Sequence, residues 1–138
     1  MENTSSLPQR FEGSVFSGLG RGREFLALEW VQRELRQMLC LIPFPGTLNL
    51  RVAPAVRNAL YARCDSFYKI ADPASPDCPG FLKEVILRAN GRTCPSAYLI
   101  LPALTRYNDA LEIISAYNLR QKLDLQDGDT VEVAGFPE

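Results

Sequence analysis

Histidine is absent from this chain of 138 residues. That removes the commonest general base, the commonest transition-metal ligand and every histidine-dependent triad. Acid–base chemistry is left to carboxylates, lysine, tyrosine, cysteine or water. The four cysteines (Cys40, Cys64, Cys78 and Cys94) stand far apart with no Cys-x-x-Cys pair, which argues against a structural zinc site. They read as reduced thiols of a cytoplasmic protein. Basic residues are not in excess: 15 Lys and Arg stand against 16 Asp and Glu, for a net charge of −1. That balance argues against broad nucleic-acid binding, while leaving room for a local basic pocket. No apolar run approaches membrane-spanning length, and Met1 to Gln9 has no apolar signal-peptide core. The expectation is a soluble, cytoplasmic monomer with no membrane or nucleic-acid partner.

A hydrophobic content of 46% with 22% charged residues places the chain in the globular class, and its length suits one domain. Residues 1–10 read as a disordered tail and 11–138 as a single domain. Phe11 to Ser17 alternates like a strand, and Phe25 to Leu28 reads as a second short one. Leu28, Val31, Leu35, Met38 and Leu39 fall at helical spacing, giving a helix from about Glu29 to Leu41, stopped by Pro43 and Pro45. Gly46 to Val52 is the next strand. Residues 53–63 stay open, with a helical turn or two allowed. Residues 71–80 are rich in proline and read as a surface loop long enough for a lid. Phe81 to Leu87 and Ala97 to Leu101 form a hairpin about Asn90-Gly91. Asp109 to Ala116 is helix or strand, Leu119 to Leu123 a short helix, and Thr130 to Val133 a closing strand. This pattern predicts a mainly β fold with α: a small β-barrel carrying one longer and one or two short helices.

Two early segments carry the chemistry. In Gly18-Leu19-Gly20-Arg21-Gly22-Arg23, alternate glycines free the backbone to turn its N–H groups toward one anion, and two arginines add charged donors. The run is neither a Walker A loop nor the dinucleotide fingerprint. By itself the local pattern favours a glycine-rich hairpin or bulge over a phosphate site. In Pro45-Gly46-Thr47-Leu48-Asn49-Leu50, strand periodicity puts Thr47 and Asn49 on one face and Leu48 and Leu50 on the other. Two neutral oxygens side by side suit magnesium; taken alone, the pair favours the reading of a solvated strand face. Together the segments suggest nucleotide-dependent phosphoryl transfer.

The run Phe11-x-Gly13-x-Val15-x-Ser17-Gly18-Leu19-Gly20-x-Gly22-Arg23-x-Phe25-Leu26 resembles the opening of the archaeal CTP-dependent riboflavin kinases, a family of cradle-loop barrels. The resemblance continues at Pro45 to Leu50, Pro102 to Thr105, Glu112-Ile113-Ile114, Leu119-Arg120 and Leu123-x-Leu125-x-Asp127-Gly128-Asp129-x-Val131. It implies transfer of the γ-phosphate of CTP to the 5′-hydroxyl of riboflavin, giving FMN and CDP with Mg2+. It also implies roles by position. Gly18, Leu19, Gly20, Arg21, Gly22 and Arg23 would hold the nucleotide with Tyr117, Asn118, Leu119 and Arg120. Thr47 and Asn49 would coordinate the metal. Thr105 and Glu112 would contact the flavin, with Glu112 the candidate base. The chain departs from the family at Tyr117 and Asn118, where alanine-proline and a basic residue precede the Leu-Arg pair, and in residues 53–96. Two other readings use the same barrel: a non-catalytic flavin or nucleotide module, and a DNA-binding swapped-hairpin barrel.

Overall fold

A computed structural model describes residues 9–18, 21–102 and 109–136. Seven strands and four helices follow one another as β1 (Arg10–Phe16), α1 (Arg21–Ala27), α2 (Glu29–Leu39), β2 (Leu48–Arg51), α3 (Pro54–Ala62), β3 (Tyr68–Asp72), β4 (Ser75–Ala89), β5 (Arg92–Pro102), β6 (Ala110–Ser115), α4 (Leu119–Lys122) and β7 (Thr130–Ala134). All pairings are antiparallel. The order β4-β5-β6-β2-β1-β7 closes on itself because β7 also pairs with β4, and β3 is appended to the outer half of β4. The expected barrel is therefore present, a closed six-stranded one.

Closure depends on β4. Its first half pairs with β3 through Ile70↔Gly80 and Tyr68↔Leu82, and its last residues pair with β7 through Leu87↔Val133. The β4–β5 register shifts between Val85 and Leu87, where one partner is exchanged for the other. A bulge there bends and twists the strand, as a small barrel requires.

Period-two alternation sorts the apolar residues into two layers. Phe11, Val15, Leu48, Leu50, Leu87, Leu99, Leu111, Ile113, Val131 and Val133 fill the barrel. On the outside, Ile70, Leu82, Ile100 and Ile114 meet Leu26, Val31, Leu35 and Leu41 from the α1–α2 unit. β6 is covered on both faces, so its sequence alternates poorly; this is why Asp109 to Ala116 suits helix and strand alike.

Three expectations are corrected. Phe25 to Leu28 is not a strand: it belongs to α1 and the link to α2, where the Phe25 ring meets Trp30 edge-on at 5.8 Å and Leu26 is buried. Residues 71–80 are not a loop. They form the β3–β4 hairpin, turned by Asp72, whose carboxylate accepts the Ala74 N–H at 3.0 Å. Pro76 and Pro79 are tolerated there because the β3–β4 register is interrupted between Ile70 and Asp72. β1 begins at Arg10, which pairs with Ala134, one residue inside the expected tail. The open segment 53–63 is α3, started by Pro54 at its first position. The long helix ends at Leu39, before the prolines, through Cys40 in the left-handed region. Among the described residues no helix is long and apolar enough to cross a membrane.

Candidate functional site

Directly opposed strand residues share a face. The pairings Phe16↔Asn49, Asn49↔Glu112 and Glu112↔Ile100 therefore draw one row across β1, β2, β6 and β5. Leu48, Leu50 and Ile113 point into the barrel, so Asn49 and Glu112 stand on its outer wall, both half-buried. Thr47, two residues before Asn49, shares that face. Its hydroxyl donates to Glu112 Oε1 at 2.9 Å. With its proton directed at the carboxylate, the Thr47 oxygen keeps its lone pairs for another partner. Thr47 and Asn49 thus present two neutral hard oxygens, the kind a small divalent cation accepts, with the Glu112 carboxylate beside them. The donor set fits magnesium held largely by phosphates and water.

The glycine segment lies against this cluster. A Cβ on Gly18 would come within 2.6 Å of the Asn49 amide nitrogen. One on Gly22, the second residue of α1, would collide with the Thr47 hydroxyl and Glu112 Oε1. A side chain at either position would force Asn49, or Thr47 and Glu112, to move from where they stand. A glycine inside a helix costs about 1 kcal/mol of propensity, so tertiary fit overrides local preference in α1.

A second group sits where β1 ends. Arg120 Nη2 donates to Asp127 Oδ1 at 2.6 Å and lies 3.4 Å from the Phe16 carbonyl oxygen. The Ser17 hydroxyl donates to the same carboxylate at 2.8 Å. Hydrogen bonds from Arg120 and then Ser17 hold the Asp127 carboxyl below the usual aspartate range. Residues 16–18 connect the two groups: Phe16 pairs with Asn49 and its carbonyl meets Arg120, and Gly18 lies against Asn49.

The candidate residues from the sequence divide as follows. Gly18, Gly22, Thr47, Asn49 and Glu112 are brought together, and Arg120 is placed at the loop stem. Arg23 is exposed. Leu119 is buried in the barrel core, so only its backbone could meet a ligand. The Asn118 side chain caps α4 by accepting the Gln121 N–H at 3.3 Å. Tyr117 is exposed, with Lys122 Nζ 4.2 Å from its ring centroid, so a positive charge stands beside it although position 118 carries none. Leu19, Gly20 and Thr105 lie outside the described residues, as does the Arg21 side chain.

Sequence reasoning missed Ser17 and Asp127 as partners of Arg120. It also missed a pair on α3. Arg57 is buried, its Nε has no hydrogen-bond partner among the described residues, and its guanidinium lies 4.5 Å from the Tyr61 ring centroid. Tyr61 donates to the Pro102 carbonyl at 2.8 Å. Burial raises the Tyr61 pKa most strongly; Arg57 opposes this, and Cys64 and then Glu112 add to it.

Fold and site define a small closed β-barrel with a glycine-rich segment laid over a cluster of hard oxygens on its outer wall. Residues 15–134 match the family model CTP-dep_RFKase, described as a domain of unknown function, DUF120. The chain is 32% identical over 121 residues to the riboflavin kinase of Methanopyrus kandleri, covering 88% of this chain and 79% of that protein. It is 37% identical over 128 residues to the riboflavin kinase of Archaeoglobus fulgidus, covering 90% of this chain and 53% of that protein. It is 32% identical over 124 residues to that of Saccharolobus solfataricus, covering 88% and 71%. The chain belongs to the archaeal-type CTP-dependent riboflavin kinase family. It spans just over half the length of the Archaeoglobus relative and about four-fifths of the Methanopyrus one.

Proposed function

We propose that this protein phosphorylates the 5′-hydroxyl of riboflavin to give FMN, taking the γ-phosphate of CTP in a magnesium-dependent reaction. The carrying observation is the Thr47–Glu112 hydrogen bond beside Asn49, with Gly18 and Gly22 pressed onto the same three side chains. Family membership and relatives named riboflavin kinase support the acceptor; the family label supports the donor. The reading takes residues 11–138 as one catalytic domain, acting as a cytoplasmic monomer without nucleic acid.

Phosphoryl transfer asks a protein for alignment and charge neutralisation more than for covalent chemistry. The backbone of the 18–23 segment and Arg120 would hold the nucleotide phosphates. Tyr117, Asn118 and the Leu119 backbone would border the base, and Thr105 would meet the flavin. Thr47 and Asn49 would hold magnesium, which when bound neutralises phosphate charge. Glu112, its Oε1 engaged by Thr47, keeps its second oxygen to orient the ribityl hydroxyl and take its proton. The fixed Thr47 contact limits how that carboxylate can rotate.

The test is FMN formation from riboflavin and magnesium with CTP, ATP, UTP and GTP in parallel. FMN from CTP alone is the expected result. FMN from ATP as well would assign a relaxed base pocket to Tyr117 and Asn118. Flavin binding without FMN from any donor would replace the kinase with a non-catalytic module.

A further inference from the structure

Asp127 sits in the turn between α4 and β7. Its carboxylate joins three segments of chain. Oδ1 accepts from Arg120 Nη2 at 2.6 Å, and its two oxygens lie 2.8 and 3.1 Å from the Ser17 hydroxyl. The same arginine nitrogen stands 3.4 Å from the Phe16 carbonyl and 3.5 Å from Ser17 Oγ. Among the described residues, each of these Arg120 contacts runs through Nη2. A guanidinium is a rigid plane of five donors, so fixing one corner fixes where the others point. Ser17 directly precedes Gly18, and Arg120 lies on α4. One carboxylate therefore ties the stem of the glycine segment to α4.

Folding stability is a poor explanation for this arrangement. The Arg120 and Asp127 side chains are 39% and 57% exposed, and ion pairs that open to water contribute little. A carboxylate so close to a phosphate site would also repel the ligand unless its own charge were engaged. Here it is matched by the guanidinium and the serine hydroxyl.

We propose that Asp127 is a positioning residue for the polyphosphate of the nucleotide: it pins Arg120 against the loop stem, so that both halves of the phosphate site are assembled before ligand arrives. This rests on the nucleotide-kinase reading above. Preassembly removes an ordering cost from binding, so its loss should fall on nucleotide affinity and spare the acceptor.

The experiment measures KM for CTP and for riboflavin separately, and Kd for CDP with magnesium by calorimetry. The proteins are wild type, D127A, D127N, R120A and the D127A/R120A double variant. D127A is expected to raise the CTP KM and CDP Kd about tenfold, with riboflavin KM changed by less than about twofold. D127N keeps an acceptor for both Ser17 and Arg120 and is expected to recover most of the loss. In the R120A background, D127A is expected to add no further effect, because the two act as a unit. A merely structural aspartate would lower thermal stability in both backgrounds without this coupling. Nucleotide affinity unchanged or tighter in D127A, or full additivity with R120A, would overturn the proposal while leaving the kinase reading intact. A folded wild type that binds no CDP would overturn that reading, and this proposal with it.

Discussion

Glu112 and Asn49 face one another across β6 and β2, yet their substitution should separate two kinds of failure. Glu112→Gln keeps an acceptor for Thr47 but removes the base, so kcat is expected to fall about a hundredfold or more with unfolding unchanged. A near-normal rate would remove Glu112 from proton transfer. Asn49→Leu is expected to abolish magnesium-dependent turnover while the thermal melt stays cooperative; unchanged activity would sink the metal assignment. Asp127 carries a pH signature. Its folded-state pKa is depressed, so its contribution to stability is present above the unfolded value and is lost as pH falls through the folded one. The melting-temperature gap between wild type and Asp127→Asn should therefore close in acid below the ordinary aspartate range. A gap that persists there would contradict the lowered pKa. Thr47 and Asn49 were legible in the sequence because strand periodicity alone fixes their common face. The Ser17–Asp127 contact was not, because its partners are 110 residues apart and only closure of the barrel brings them together.

At the scale of elements, legibility followed how one-sided each element is. α2 was readable because only one stripe of it is buried, at Val31 and Leu35. α1 was not, since Gly22 and the flanking arginines look like a turn until Thr47 and Glu112 are seen to occupy the space a side chain would need. The β3–β4 hairpin was hidden by prolines, whose penalty vanishes where the register is already broken. Gly22→Ala tests the α1 account. Helix propensity alone predicts stabilisation of about 1 kcal/mol, whereas the close approach predicts destabilisation of about 1–3 kcal/mol by overpacking. Chemical denaturation should show the loss, together with reduced activity. A stabilised, active variant would mean that the contact is not as tight as described.

For the whole molecule, the barrel was foreseeable from the number of short strands and tight turns, but its order of strands was not. Nothing local to Thr130–Ala134 signals that this strand pairs on both sides, with β1 and with β4. The seam should be sensitive out of proportion to its length. Leu87, fully buried and paired with Val133, is expected to cost about 3 kcal/mol when replaced by alanine, read from the denaturation midpoint. A cost below about 1 kcal/mol would place the seam outside the cooperative core.

That doubly paired strand also governs timing during synthesis. Until β7 has emerged from the ribosome, β1 and the inner half of β4 both present unpaired edges, and the outer-wall site has no finished scaffold beneath it. The barrel cannot seal until β7 has paired with both of them. Its most vulnerable state is therefore the one in which β1 to β6 have formed and β7 has not yet docked, when the apolar interior is made and the strand that seals it is missing.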